Sequence, residues 1–256
     1  MEAISPFFQD VNTLAWVMIA LAVPTFAATL FIPAPFGRYS HASWGLLLPA
    51  LPCWILMEAP NLVAVAYFLT QFSFSSLDIV KVTLLAMFAG HYFNRTIVYP
   101  LRQTNRKPMP LLVPLSAFAF TSFNGYLQCK SLFESPAYEP HYPHSLQFIA
   151  GTVLFLCGAF TNLQADNILL NLRKPGETAY KVPRGGLFEY VSGANYTGEI
   201  LEWLGFALAA GTLPAAAFAI YTFSNIAPRA HKHHLWYLEK FEDYPKNRKA
   251  VIPGIW

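Results

Sequence analysis

The chain has 256 residues, of which 55% are apolar or aromatic and only 12% are charged. A soluble domain carries about a quarter charged residues, so this composition excludes an ordinary water-facing globule and points to burial in a bilayer. The net charge of +3 is small and forms no dense basic stripe with interleaved aromatics, which argues against nucleic-acid binding.

In chain order, the first expected element is an uncharged run from Val11 to Ile32. The residues before it lack a basic n-region, so a cleaved signal peptide is not expected and this run should stay in the membrane. About 20 apolar residues cross roughly 30 Å of hydrocarbon. By that measure further spans are expected over 44–70, 79–99, 111–128 and 144–170. The last apolar region, 195–228, contains a break at Gly211 and Pro214, which predicts two short helices over 196–211 and 213–229. A single kinked helix is the alternative. A tail over 230–256 follows. The loops are short, so 1–256 reads as one integral-membrane domain without internal repeats.

Charge bias sets the expected orientation. Every basic residue except Lys81 and Lys130 falls on alternate connections, in the tail, or, as Arg95 and Arg229 do, at the span ends that lead into them. These segments should face the cytoplasm, with the N-terminus outside. The basic zones after the fifth span and in the tail must be separated by an even number of crossings. The expected fold class is therefore all-α, a polytopic seven-transmembrane-helix bundle with a cytoplasmic C-terminus. The membrane would be the inner membrane of a bacterium or the endoplasmic reticulum of a eukaryote.

Ionisable groups inside spans are costly and mark functional sites. Glu58 lies within the second span. It precedes Ser75, the expected centre of the following turn, by the same seventeen positions by which Tyr92 follows it. In an antiparallel hairpin the two sit at one depth, about 25 Å from the outer turn. A carboxyl and a phenol would then share a pocket, and burial favours the neutral, proton-donating carboxyl. Packing of Glu58 against another polar group is the competing reading.

Tyr92, Arg95, Tyr99, Arg102 and Arg106 recur at three- and four-residue steps and read as one helical stripe. Pro100 should end or kink that helix and leave Arg102 and Arg106 on a loop. Asn162, Asp166 and Arg173 read as a face of the fifth span. Asn195, Glu199 and Glu202 read as a third polar face. Three such faces near the inner ends would converge on a ligand, or else form a structural hydrogen-bonded network.

Several chemistries find no support. No dinucleotide-binding glycine fingerprint follows a strand, and there is neither a P-loop nor a nucleophile elbow. The cysteines, Cys53, Cys129 and Cys157, form no metal or disulfide pattern and read as thiols packed among helices. His231, His233 and His234 superficially suggest a metal box, but seven histidines are too few for a membrane di-iron site. No metal is expected. A dinucleotide would have to bind between helices, with arginines on its phosphates.

Six stretches carry a resemblance: HYFNRTIVYP from His91, KPMPLL from Lys107, NGYLQ from Asn124, LRKPGET from Leu172, YKVPRGGLFEYVSGANY from Tyr180 and FEDYPKNRKAVIP from Phe241. In these the chain resembles the steroid 5α-reductases, from about Trp54 to its end. The resemblance implies a seven-helix bundle that encloses NADPH from the cytoplasmic side, with a Δ4-3-keto steroid beyond the nicotinamide, entering from membrane lipid. It implies Glu58 and Tyr92 as the catalytic pair on the 3-keto oxygen, with Trp54 and Met57 beside the substrate. It further implies cofactor contacts from Arg95, Tyr99, Arg106, Asn162, Asp166, Arg173, Tyr180, Asn195, Glu199, Arg229, His233 and Tyr237. Met57 stands where the family usually has Gln, and Gln164 where it usually has His. The expected reaction is conjugate reduction of the enone by a monomer. A related reductase of a polyprenol or an enoyl thioester is the nearest alternative. A transporter or a membrane methyltransferase represents other classes.

Overall fold

The computed structural model describes residues 10–35, 37–73, 77–104, 106–174, 176–177 and 179–256. Ser75, taken above as the centre of the second turn, lies outside the described residues. The described chain is mostly helical. Its one paired ribbon joins Leu47–Leu48 (β1) to Met109–Pro110 (β2), antiparallel. That ribbon departs from a purely helical reading. It forms because two proline-containing loops cannot extend their helices and satisfy their backbone groups on each other.

Helix α1 spans Val11–Phe31 and starts at Asp10, whose carboxylate accepts from the N–H groups of Asn12 and Thr13. Helix α2 spans Ala50–Gln71. It starts six residues later than hydropathy suggested, because Pro49 sits at its N-cap in an extended conformation and residues 42–48 form a turn and β1. Helix α3 spans Ile79–Phe93 and is capped by Asp78. It continues through a π-helical turn, Asn94–Val98, into a last turn, α4, Tyr99–Arg102. The Tyr99 N–H reaches back five residues to the Asn94 carbonyl. This widened turn admits Pro100 without ending the helix. Arg102 is consequently helical, and of the two only Arg106 lies on the loop.

Helix α5 spans Leu112–Glu134, past the expected end at 128. Helix α6 spans Leu146–Asn171 and is capped by Ser145. Arg173 lies beyond its end, so it does not share a helix face with Asn162 and Asp166 as the spacing suggested. Helices α7, Ala194–Ala210, and α8, Leu213–Lys240, are separate and pack on each other. Gly211 closes α7 in the left-handed conformation at φ 60°, which a side chain would oppose. Helix α8 runs on through Pro228 to Lys240, so the tail begins eleven residues later than expected.

By length and composition alone α1, α2 and α6 are long and apolar enough to cross a membrane. Their neighbours are shorter or more polar. The bundle's aromatic centre is Trp203 on α7, packed against Phe88, Tyr92, Phe155 and Phe218. Cys53 and Cys129 are buried, whereas Cys157 is exposed on α6, contrary to its reading as a packed thiol.

Two seams position the functional region. The first joins α6 to α7. A Cβ added at Gly158 would stand 2.7 Å from the Glu202 Cα, and one at Gly198 would stand 2.8 Å from the Asn162 Cα. Gly151 and Gly205 repeat the arrangement against Ala209 and Phe155. Only glycine lets the two backbones approach this closely. The second seam ties the tail to the loop before α7. Ser192 and Gly193 donate backbone N–H bonds to the Lys249 and Ala250 carbonyls, and Thr197 donates to the Val251 carbonyl at 2.6 Å. Arg248, 1% exposed, donates to the Pro183 carbonyl at 3.0 Å and to Glu189 at 3.3 Å. Gly185's N–H, and then Arg248, hold the Glu189 carboxyl below its usual range. The two longest motifs of the sequence are thus each other's packing partners, and together they fix the start of α7.

Candidate active site

Between α1, α2, α3, α5, α7 and α8 lies a cavity of about 470 Å³. Trp54, Met57 and Glu58 line it from α2, and His91 and Tyr92 from α3. Arg95 and Tyr99 follow from the π turn and α4, Asn195, Tyr196 and Glu199 from α7, and Arg229 from α8. A second cavity of about 280 Å³ shares Trp54, Tyr99 and Met109 with the first. Its remaining wall carries Arg106, Lys107, Arg173, Lys181 and His233, together with Tyr180 and Tyr237. The inner chamber is thus mainly apolar with a few polar groups, and the outer one is cationic and aromatic.

Tyr92 is 4% exposed. Its hydroxyl accepts from the Asn124 Nδ2 at 3.3 Å. Asn124 is held in turn by Gln128, whose amide donates to Asn124 Oδ1 at 3.3 Å and to the Pro214 carbonyl at 3.0 Å. Because Asn124 is the donor, Tyr92 keeps its own O–H to give into the cavity. Glu58 stands on the same cavity wall from α2.

Arg95 donates to Asp166 Oδ2 at 3.4 Å. Its guanidinium lies 5.1 Å from the Trp54 ring centroid and 4.7 Å from that of Tyr99. The aromatic pair and the carboxylate fix this charge at the junction of the two chambers. At the outer chamber, Tyr180 lies under Arg173 at 5.1 Å and under Lys107 at 5.7 Å. Arg106 donates to the Pro100 and Leu101 carbonyls, and Arg102 to the Asn167 side chain at 2.7 Å.

Most of the residues singled out from the sequence line one of the two chambers. Asp166 stands behind Arg95 rather than on a cavity wall. Asn162 is buried in the α6–α7 seam and donates to the Asn195 carbonyl at 2.9 Å. Glu202 does not join Asn195 and Glu199 on the cavity. It turns toward α3, where its Oε1 meets His91 Nδ1 at 2.9 Å, with side chains 3% and 5% exposed.

That pair escaped the sequence reading, since nothing local links two residues on different helices. Tyr221, Asn225 and Arg229 also line the cavity from α8. Their four-residue spacing was a visible helical stripe. Among the described residues no group of three or more His, Cys, Asp or Glu side chains could hold a metal ion.

The sequence model of the family described as 3-oxo-5-alpha-steroid 4-dehydrogenase matches residues 107–256. The chain is 42% identical over 265 residues to 3-oxo-5-alpha-steroid 4-dehydrogenase 1 of Bos taurus, covering all of both chains. It is 44% identical over 246 residues to the protein of that name from Homo sapiens, covering 94% of each chain. It is 42% identical over 246 residues to Steroid 5-alpha-reductase DET2 of Gossypium hirsutum, covering 92% of this chain and 93% of that one.

Proposed function

Because this chain belongs to the 3-oxo-5-alpha-steroid 4-dehydrogenase family, we propose that it reduces the Δ4 double bond of 3-keto steroids to 5α-reduced 3-ketosteroids, with NADPH as reductant. The observation that carries the reading is one chamber with Glu58 and Tyr92 on its wall, joined through Trp54 and Tyr99 to a cationic, aromatic chamber. The first suits a rigid apolar molecule with one carbonyl, and the second suits the phosphates of a dinucleotide.

Arg106, Arg173 and His233 would hold phosphates, with Tyr180 and Tyr237 as aromatic walls. Asn195, Glu199 and Arg229 would hold the deep end of the cofactor, and Arg95 and Tyr99 its middle. Asn162 and Asp166 would act one step back, through Asn195 and Arg95. When bound, NADPH supplies the hydride that reaches C5. Tyr92 and protonated Glu58 donate hydrogen bonds to the 3-keto oxygen, where negative charge grows as C5 accepts the hydride. Donors aimed at developing charge in a water-poor site give most of such a rate enhancement. Trp54 and Met57 would wall the steroid beside that oxygen.

The setting proposed for this chemistry is a single membrane domain of seven spans, α1, α2, α3 with α4, α5, α6, α7 and α8. Its N-terminus would lie outside and its C-terminus in the cytoplasm, and it would act as a monomer. The apolar helices α1, α2 and α6 support the membrane setting. The basic residues around the outer chamber support a cytoplasmic mouth for that chamber.

The deciding experiment is NADPH consumption by the purified protein with testosterone or progesterone, followed by stereochemical analysis at C5. A 5α product is expected. No consumption with any Δ4-3-ketosteroid, but consumption with a polyprenol or an enoyl thioester, would replace the steroid reading with its neighbour.

A further inference from the structure

His91 immediately precedes Tyr92 and lines the same cavity. It also borders a cleft of about 410 Å³ between α3 and α6, so it forms the partition between the two spaces. Its ring is wedged 4.6 Å from the Trp203 centroid and 5.0 Å from that of Tyr92, which fixes its plane. Glu202 holds Nδ1 from behind at 2.9 Å. The α6–α7 seam presses the Glu202 backbone against Gly158, which fixes where that side chain leaves α7. Its second oxygen, Oε2, is buried with no hydrogen-bond partner among the described residues. A carboxylate on one imidazole nitrogen sets the tautomer and leaves the other nitrogen, Nε2, to exchange protons.

Such an acid answers a need that Glu58 and Tyr92 leave open. On the reading above, which this inference rests on, hydride addition at C5 must be followed by a proton at C4. Glu58 and Tyr92 are engaged with the oxygen on C3, one carbon away. The other cavity groups are less suited. Arg95 is committed to Asp166, Glu199 is assigned above to the cofactor, and Tyr99, Tyr196 and Tyr221 are phenols, weak acids near neutrality. An imidazolium is matched to that range.

We propose that His91 is the catalytic acid that protonates C4 and that Glu202 is its positioning residue. In the step, the Nε2–H bond of the imidazolium breaks and a C4–H bond forms. The C3–C4 π pair of the enolate supplies the electrons for that bond, and the oxygen lone pair restores the C3 carbonyl. His91 is left neutral and takes its next proton from solvent. Taken with the hydride step, NADPH is oxidised, the C4–C5 bond is reduced, and one proton is consumed.

The test reads the proton step without turnover. A saturated 5α-3-ketosteroid is incubated in D₂O with the full-length protein and NADP⁺, and deuterium at C4 is followed by NMR. The unaltered protein should exchange C4 well above the buffer rate. His91→Phe, which keeps a ring against Trp203, should lower that exchange by about a hundredfold, with NADP⁺ affinity and steroid KM within about twofold. His91→Gln retains an amide toward Glu202 but no acid, and it should show the same loss, which guards against a folding defect in the first variant. Glu202→Gln should lose about tenfold in kcat with KM unchanged, Glu202→Leu considerably more, and Glu202→Asp should restore part of the loss. Exchange in both His91 variants at the unaltered rate, or none above buffer in the unaltered protein, overturns the assignment. C4 exchange that depends on His91 without NADPH oxidation on a Δ4-3-ketosteroid would instead count against the reductase reading alone.

Discussion

Helix α7 meets its neighbours in two opposite ways. Against α6 it presents Gly198 and Gly205, and the backbones come so close that no side chain fits between them. Toward α2 and α8 it presents Asn195, Tyr196 and Glu199, and there a chamber of about 470 Å³ stays open. Lipid gives helices no hydrophobic reason to associate, so tight contact must come from backbone approach and hydrogen bonds. The glycine seam supplies that contact on one face and frees the other to remain concave. It also decides the fate of neighbouring polar groups. Glu199 looks into the chamber, while Glu202, one turn along, is driven to His91.

The sharpest way to break this contrast is to remove a polar group from the chamber while leaving the seam intact. Glu58→Gln should lower kcat about 100- to 1000-fold with NADPH binding retained. Near-normal turnover in a steady-state assay would remove Glu58 from the chemistry. Next, Arg173→Ala at the cationic chamber should weaken NADPH binding about ten- to a hundredfold, the range for a lost charge-assisted hydrogen bond. An unchanged affinity by fluorescence titration would end its assigned role. The seam itself is tested by Gly158→Val, which should cost about 1–3 kcal/mol through overpacking, read as a lower unfolding midpoint in detergent. A variant as stable as the parent would mean that the close approach does not hold α6 and α7 together. The smallest expected effect is at Met57. Met57→Gln adds an amide beside Glu58 and should shift kcat/KM between steroids by about fivefold, roughly one hydrogen bond. Identical preference in a substrate panel would show that this position does not read the steroid.

Glu58 and Tyr92 were legible as a pair because both sit on consecutive apolar helices, and hairpin symmetry puts equal offsets at equal depth. The stripe through Arg95 and Tyr99 was legible as well, since a helical period survives even where a π turn absorbs Pro100. The His91–Glu202 pair was not, because its members lie on α3 and α7 and meet only once the glycine seam has oriented α7. Nor was the inward turn of Asn162 toward the Asn195 carbonyl. The end of the last helix was not legible either: hydropathy stops near residue 229, whereas α8 continues past Pro228 to Lys240.

The sequence by itself determined that the chain is apolar and helical, where its principal helices lie and on which loops its basic residues collect, because hydropathy and charge are local properties. Its motifs also determined the family. Tertiary structure alone decided which polar residues face the chamber, which are sealed in the seam, and that the tail clamps the start of α7. Those outcomes depend on the closeness and rotation of packed helices, set where Gly151 and Gly158 of α6 meet the backbone of α7 and Gly198 and Gly205 of α7 meet that of α6, and the spacing of glycines along one helix does not say which helix they will meet.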